Sequence, residues 1–268
     1  MRHLRLAIAC ACALAQLLTG SLVIAQQITP ADSKQSEEQA MAVVRRMGNF
    51  LSQSQSFSVT AEIGFDAVQQ SGQKIEYGES RKIVLRRPDH LRIDETKRNG
   101  AKSGLVFDGR NLTVFHVKEN VYATTARPGN VDDAIAYYTN DLDMRLPLAE
   151  LLSSKLAAAL SEGIREAAYV ERSSIGGVPC DHVALRGDKA DLQLWVAQGD
   201  RPLPQRIVIT YTRLDGRPQF WAQFNEWNLN PKVRDSLFAF TPPAGAVKIA
   251  FSPRQTLQPG GTGIKEGK

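Results

Sequence analysis

From Phe57 the chain alternates. Phe57, Val59, Ala61, Ile63 and Phe65 are apolar, and Ser58, Thr60, Glu62 and Gly64 between them are polar or small. A period of two makes a strand with one buried and one wet face. The pattern returns along the chain. Leu91 and Ile93 alternate with Arg92 and Asp94, Leu192, Leu194 and Val196 with Gln193 and Trp195, and Ile207, Ile209 and Tyr211 with Val208 and Thr210. Turn signals separate these runs, at Gln70 to Gln73, Asp108-Gly109, Gly176-Gly177 and Asp215-Gly216. Short Gly-containing turns between alternating runs mark hairpins, so neighbouring strands are antiparallel. The order reads as one helix, about five strands, two helices, then about five more strands. A twisted sheet that large tends to curl.

The helical segments supply what the sheet must bury. Ala40, Val43, Val44, Met47, Phe50 and Leu51 recur at helical spacing, and Ser36 with Gln39 is placed to form a capping box. Asp132 to Tyr138 reads as a second helix, with Asn130 as its cap. Pro147 to Leu160 reads as a third, with Leu148, Leu151, Leu152, Leu156 and Leu160 on one stripe and Gly163 as its stop. Three apolar stripes and one apolar sheet face are satisfied together if the helices lie on the sheet. The expected fold is α+β: a large curled antiparallel sheet, a half-barrel, with about three helices on its concave side. The pattern allows that interior to be packed solid or left partly hollow.

The N-terminus carries an export pattern. Arg2 and Arg5 precede an apolar run from Leu6 to Leu18, and Val23 and Ala25 sit at the −3 and −1 positions of a cleavage site. We therefore expect a signal peptide over 1–25, a single domain over 26–251 and a disordered tail over 252–268, with the mature chain in the periplasm and without a transmembrane helix. Removing Arg2 and Arg5 from the 33 basic residues leaves 31 against 28 acidic, a net of +3. The basic residues are interspersed, so no nucleic-acid partner is expected. Cys10 and Cys12 leave with the signal, and Cys180 alone cannot form an internal disulfide.

Signals for chemistry are sparse. Cys180, Asp181 and His182 are adjacent, which keeps a thiol hydrolase in view as a remote alternative. On a strand Cys180 and His182 share a face and Asp181 points away. His90, His116 and His182 are dispersed, with no metal-ligand spacing. There is no G-x-S-x-G elbow and no phosphate-binding Gly-rich loop. No cofactor, metal or catalytic residue is expected. Trp195, Trp221 and Trp227 fall opposite the inward series, where exposed rings would mark an interaction surface.

Several motifs occur in order: Gly177-Val178-Pro179-Cys180-Asp181-His182, Gly199-Asp200-Arg201-Pro202-Leu203-Pro204, Ile207-Val208-Ile209-Thr210-Tyr211, Trp227-Asn228-Leu229-Asn230-Pro231, and Phe238 to Ala246. Over about residues 36 to 251 the chain resembles a family of predicted periplasmic proteins defined as a domain of unknown function. That family is similar in fold to the outer-membrane lipoprotein carriers LolA and LolB. Arg86-Arg87-Pro88-Asp89-His90-Leu91 and Val106-Phe107-Asp108-Gly109 look like the carriers' basic-Pro turn and following strand. In the carriers an arginine before that Pro helps close a lid, and Arg87 stands at the matching position. Elsewhere the chain departs from the carriers. The resemblance implies helices in the mouth of the curled sheet and a hydrophobic ligand, such as a lipid or a lipidated protein's acyl chain. The candidate lining is Val59, Ile63, Phe65, Arg87, Leu91, Ile93, Phe107, Leu192, Leu194, Ile207 and Ile209. The expected role is a non-enzymatic carrier or sensor. The alternative is an interaction module with a filled core that binds an envelope protein.

Overall fold

A computed structural model of the chain describes residues 30–251. The expected signal peptide and the expected tail lie outside these residues. Helix α1 (Pro30–Gln53) leads into a meander of β1 (Ser56–Val68), β2 (Lys74–Arg86), β3 (His90–Lys97), β4 (Lys102–Phe107), β5 (Asn111–His116) and β6 (Val121–Ala126). Short helical turns follow: α2 (Val131–Ala136), a π-turn (Tyr137–Asp141), a 3-10 turn (Ala149–Leu152) and α3 (Leu156–Ala159). A second meander then runs through β7 (Ile164–Ile175), β8 (Val178–Gly187), β9 (Asp191–Ala197), β10 (Pro204–Thr210) and β11 (Gln219–Asn228). A 3-10 turn (Asp235–Phe238) and β12 (Val247–Lys248) end the fold.

All the strands join one curled open sheet in the order β12-β6-β5-β4-β3-β2-β1-β11-β10-β9-β8-β7. The two meanders meet at a seam where β1 and β11 pair antiparallel, with Ala61 opposite Phe224. Among the described residues the one parallel pairing is β12 on β6, a two-residue contact that the hairpin pattern did not announce. The inward series is buried as its period predicts: Phe57, Val59, Ala61 and Ile63 are each 3 % exposed or less.

The strand order dictates what lies on the concave face. β6 and β7 are consecutive in sequence but sit ten strand intervals apart, which is about 48 Å on a flat sheet. Residues 127–163 must bridge that span. They cross the concave side as a strap that buries its own Val131, Ala134, Leu151, Leu152 and Leu156. The continuous helix expected over Pro147 to Leu160 is therefore broken. Leu148 takes a left-handed φ of 67°, Ser153 is extended, and Asp132 accepts hydrogen bonds from the Ser154 backbone N–H, at 2.9 Å, and from its hydroxyl. A straight helix cannot follow a curved floor, and these bonds fix the bend. A second expectation also fails. Helix α1 starts before Ser36, so Ser36 is no cap. Its Oγ instead accepts from the Tyr169 N–H at 2.9 Å and donates to the Tyr169 carbonyl at 3.3 Å. A helix hydroxyl thus satisfies the unpaired backbone of an edge strand.

After β11 the chain turns to the convex side and covers its N-terminal half. Arg92 Nη1 donates to the Leu237 carbonyl at 3.0 Å, Phe238 lies edge-on to His90, and Phe240 packs on Phe115 and Tyr122. No helix among the described residues is long and apolar enough to cross a membrane.

Candidate functional site

The strap and α1 do not fill the concave face evenly. Around Phe57, Leu85, Leu91 and Phe107 the side chains pack solid. Over β8 to β10 they leave a cavity of about 480 Å³, within the usual range of about 300–1,000 Å³ for small-molecule sites. Its floor is Leu185, Leu192, Leu194, Ile207 and Ile209. Its roof is Met47 of α1 with Leu148, Leu151 and Leu160 of the strap, and Ile164 at the start of β7 closes one side. Glycine makes this roof possible. A Cβ on Gly48 would stand 2.8 Å from the Ala157 Cα, so only glycine lets α3 lie this close to α1. The polar residues among the lining include Glu150, Glu162, Asp188 and Lys189, all exposed.

The expected lining residues divide into groups. Leu192, Leu194, Ile207 and Ile209 line the cavity. Val59, Ile63 and Ile93 face a gap of about 20 Å³ beside it, too small to hold more than a single water. Leu91 and Phe107 are packed in the core, 1 % and 0 % exposed, and do not line either space. Phe65 keeps the inward parity but lies beyond the helices. It is 37 % exposed and stacks on Tyr77 at 6.0 Å. The roof residues Met47, Leu148, Leu151 and Leu160 were missed as lining, although each stands on a helical stripe visible in the sequence.

Arg87 lies outside the cavity and ties down its cover. Its side chain is 10 % exposed. Nε donates to the Ser54 carbonyl at 3.2 Å, Nη2 donates to the Leu152 carbonyl at 2.9 Å, and Nη1 stands 4.0 Å from Asp132. One guanidinium thereby joins the end of α1, the 3-10 turn and α2. Burial pulls its pKa down and Asp132 opposes the pull.

On the convex side Cys180 and His182 share a face, but neither activates the other. Cys180 Sγ donates to the Val178 carbonyl at 3.2 Å, and burial pushes the thiol pKa up, away from the reactive thiolate. His182 Nε2 lies 3.2 Å from Gln193 Oε1, and the ring stacks on Trp195 at 4.0 Å. Arg206 lies over both Trp195 and Trp221, and Trp221 Nε1 donates to Glu76 at 3.1 Å. Trp227 does not join this row. Glu226 has a φ of 57° at a β-bulge, which shifts the alternation by one. Trp227 therefore packs inward on Phe57 at 5.4 Å and donates to the Pro204 carbonyl. Among the described residues no three His, Cys, Asp or Glu side chains gather as a metal-holding group.

His182 gives a test of this convex packing. Burial holds its pKa below the ordinary 6.5, with Gln193 and Glu171 opposing. The unfolded chain therefore takes up this proton first as pH falls below 6.5, and stability drops with it. We expect the urea midpoint to fall between about pH 7.5 and about pH 5.5, and His182→Phe, which keeps the stack, to remove that part of the fall. An equal fall in the variant would assign the pH dependence to other groups.

A family model described as predicted periplasmic protein (DUF2092) matches residues 40–252. The chain belongs to this family. No curated protein matches the chain significantly. Among solved structures this DUF2092 member is similar to the lipoprotein LppX of Mycobacterium tuberculosis, at 13 % identity and a TM-score of 0.45, over 74 % of this chain and 100 % of that one. It is also similar to a LolA superfamily protein from Nitrosomonas europaea, at 14 % identity and a TM-score of 0.35, over 75 % and 97 % of the two chains. A third similar structure is the MucA/MucB complex of Pseudomonas aeruginosa, at 15 % identity and a TM-score of 0.41, over 75 % and 61 %.

Proposed function

We propose that this DUF2092 protein is a non-enzymatic carrier or sensor that holds an apolar chain, such as the acyl chain of a lipid or lipidated protein, in the concave cavity. In this reading it is released into the periplasm by cleavage after Ala25 and folds as a single domain. The observation that carries the reading is the cavity itself, about 480 Å³ between a leucine- and isoleucine-rich floor and an equally apolar roof. Burial of an acyl chain there is favourable by about 0.8 kcal/mol per CH₂. The cavity opens to solvent at the exposed rim of Glu150, Glu162, Asp188 and Lys189, and the Arg87 bonds to Ser54 and Leu152 hold the strap down over the rest.

Native mass spectrometry of protein purified from periplasm without detergent tests this directly. We expect a stoichiometric adduct that organic extraction releases as a lipid. Ile209→Trp places an indole in the cavity from a half-buried wall position. That variant is expected to keep the wild-type unfolding free energy within about 1 kcal/mol and to lose the adduct. An adduct retained at full occupancy would exclude the cavity as its seat.

The convex row of Trp195, Arg206 and Trp221 favours a second reading, a surface for an envelope protein. Capture of a partner that is lost on Trp221→Ala, with ligand occupancy unchanged, would support it.

A further inference from the structure

The concave face has a second opening of about 290 Å³, over β2 to β5, and its chemistry differs from that of the apolar cavity. Arg81, Glu95, Lys97, His116 and Arg145 come together there, with Tyr138 at one side. Strand register explains the grouping. Arg81 pairs with Glu95, Glu95 with Ser103, and Ser103 with His116, so one rung of the sheet carries polar groups on its inner face. The inner positions one step along, Ile93, Leu105 and Val114, are apolar.

Arg81 is the centre of the group. Its side chain is 10 % exposed, and Nη2 lies 2.5 Å from Glu79 and 3.4 Å from Glu95. Its Nε has no hydrogen-bond partner, so this buried guanidinium has donor capacity in hand. Glu79 and Glu95 both meet the guanidinium at Nη2, and neither pairs with Nε. Glu95 also accepts from Ser103 Oγ at 3.2 Å. Burial pushes the Glu79 carboxyl up, Arg81 pulls it back, and Glu95 adds to the rise. Lys97, His116 and Arg145 stand exposed around the opening, and Glu95 is the only acid among the residues that line it. The apolar cavity has the opposite balance, with Glu150, Glu162 and Asp188 against Lys189.

We propose that this opening binds an oxyanion, a phosphate or carboxylate group, through Arg81, Lys97, His116 and Arg145. Guanidinium groups match oxyanions in geometry, and the exposed cations raise the local anion concentration. The oxyanion is either a free ion or the head of an amphiphile. The second would thread beneath the strap through the small central gap, which must widen to admit a chain. Leu146 lines both this opening and the small central gap, and Leu148 and Leu151 line both that gap and the apolar cavity. In the amphiphile form the inference rests on the cavity reading above; in the free-ion form it stands without it.

Calorimetric titration tests both forms at about 0.15 M salt, where charges more than about 8 Å apart are largely screened. The probes are inorganic phosphate, dodecyl phosphate and dodecanol, against wild type and the K97Q/R145Q double variant. Both substituted side chains are exposed, so the variant is expected to unfold at the wild-type urea concentration. Phosphate binding that weakens tenfold or more in the variant supports the site and assigns a free ion. Dodecyl phosphate binding at least tenfold tighter than dodecanol, with the gap closed in the variant, supports it and assigns a head group. Equal binding of the two dodecyl probes, together with phosphate binding absent or unaltered by the substitutions, overturns it. In that last case dodecanol binding leaves the cavity reading standing, and failure of all three probes removes both.

Discussion

Arg87→Ala is expected to lower the stability of the protein by about 3 kcal/mol and to speed exchange of any bound ligand. Hydrogen bonds from a charged donor contribute about 1.5–3 kcal/mol each. Arg87 makes two, to carbonyls on elements that are distant in sequence, and it also stands near Asp132. Without it the Ser54 and Leu152 carbonyls lose a donor in a place that water reaches poorly. Arg87→Lys is expected to recover less than half of the loss, because one ammonium on a flexible stem cannot reproduce a two-pronged contact. The measurements are urea unfolding and hydrogen exchange of amides in 146–160. Faster exchange confined to that segment would identify Arg87 as the fastener of the strap. A uniform increase across the sheet would mean that it acts on global stability alone.

The second large effect separates the solid half of the interior from the hollow half. Phe57 is 1 % exposed, packs on Trp227 at 5.4 Å and borders the small central gap. Phe57→Ala removes a ring from a filled core and is expected to cost about 4 kcal/mol. Ile209→Ala removes a half-buried side chain that already faces empty volume on one side, and its expected cost is about 2 kcal/mol, the low end for such a truncation. The unfolding midpoints of the two variants measure this difference. Similar costs would mean that the cavity wall is as tightly supported as the core and that the volume beside it collapses in solution.

The sheet was the legible part of this chain, because period two is a local property. Phe57 to Phe65 state their face in nine residues, and Asp108-Gly109 states its turn in two. The strap was less legible. Its leucines show the apolar stripe of a helix, but the bends at Leu148 and Ser153 answer to the span between β6 and β7, which only the completed sheet defines. Trp227 was misplaced for a related reason, since a bulge at Glu226 carries no glycine to announce it. Among the candidate lining residues, inward parity separated core from surface. It did not separate Leu194 at the cavity from Leu91 in solid packing, because that difference is set by what the strap lays above each of them. The polar rung at Arg81 has no local signal in the sequence, because it is made by the register between β2 and β3.

The seam between the meanders governs the order in which the molecule can be assembled. β1 is among the first segments made, and its neighbour β11 begins only at Gln219. Until then the edge of β1 from Ser58 to Phe65 has no partner for its outward amides and carbonyls, and the apolar groups of Phe57 and Ile63 stand beside it. Such an edge recruits any strand it meets. A chain truncated before Gln219 is therefore a sticky half-sheet rather than a smaller version of the protein, and a chaperone that shields nascent strands has a definite target here: the unpaired side of Ser56–Val68.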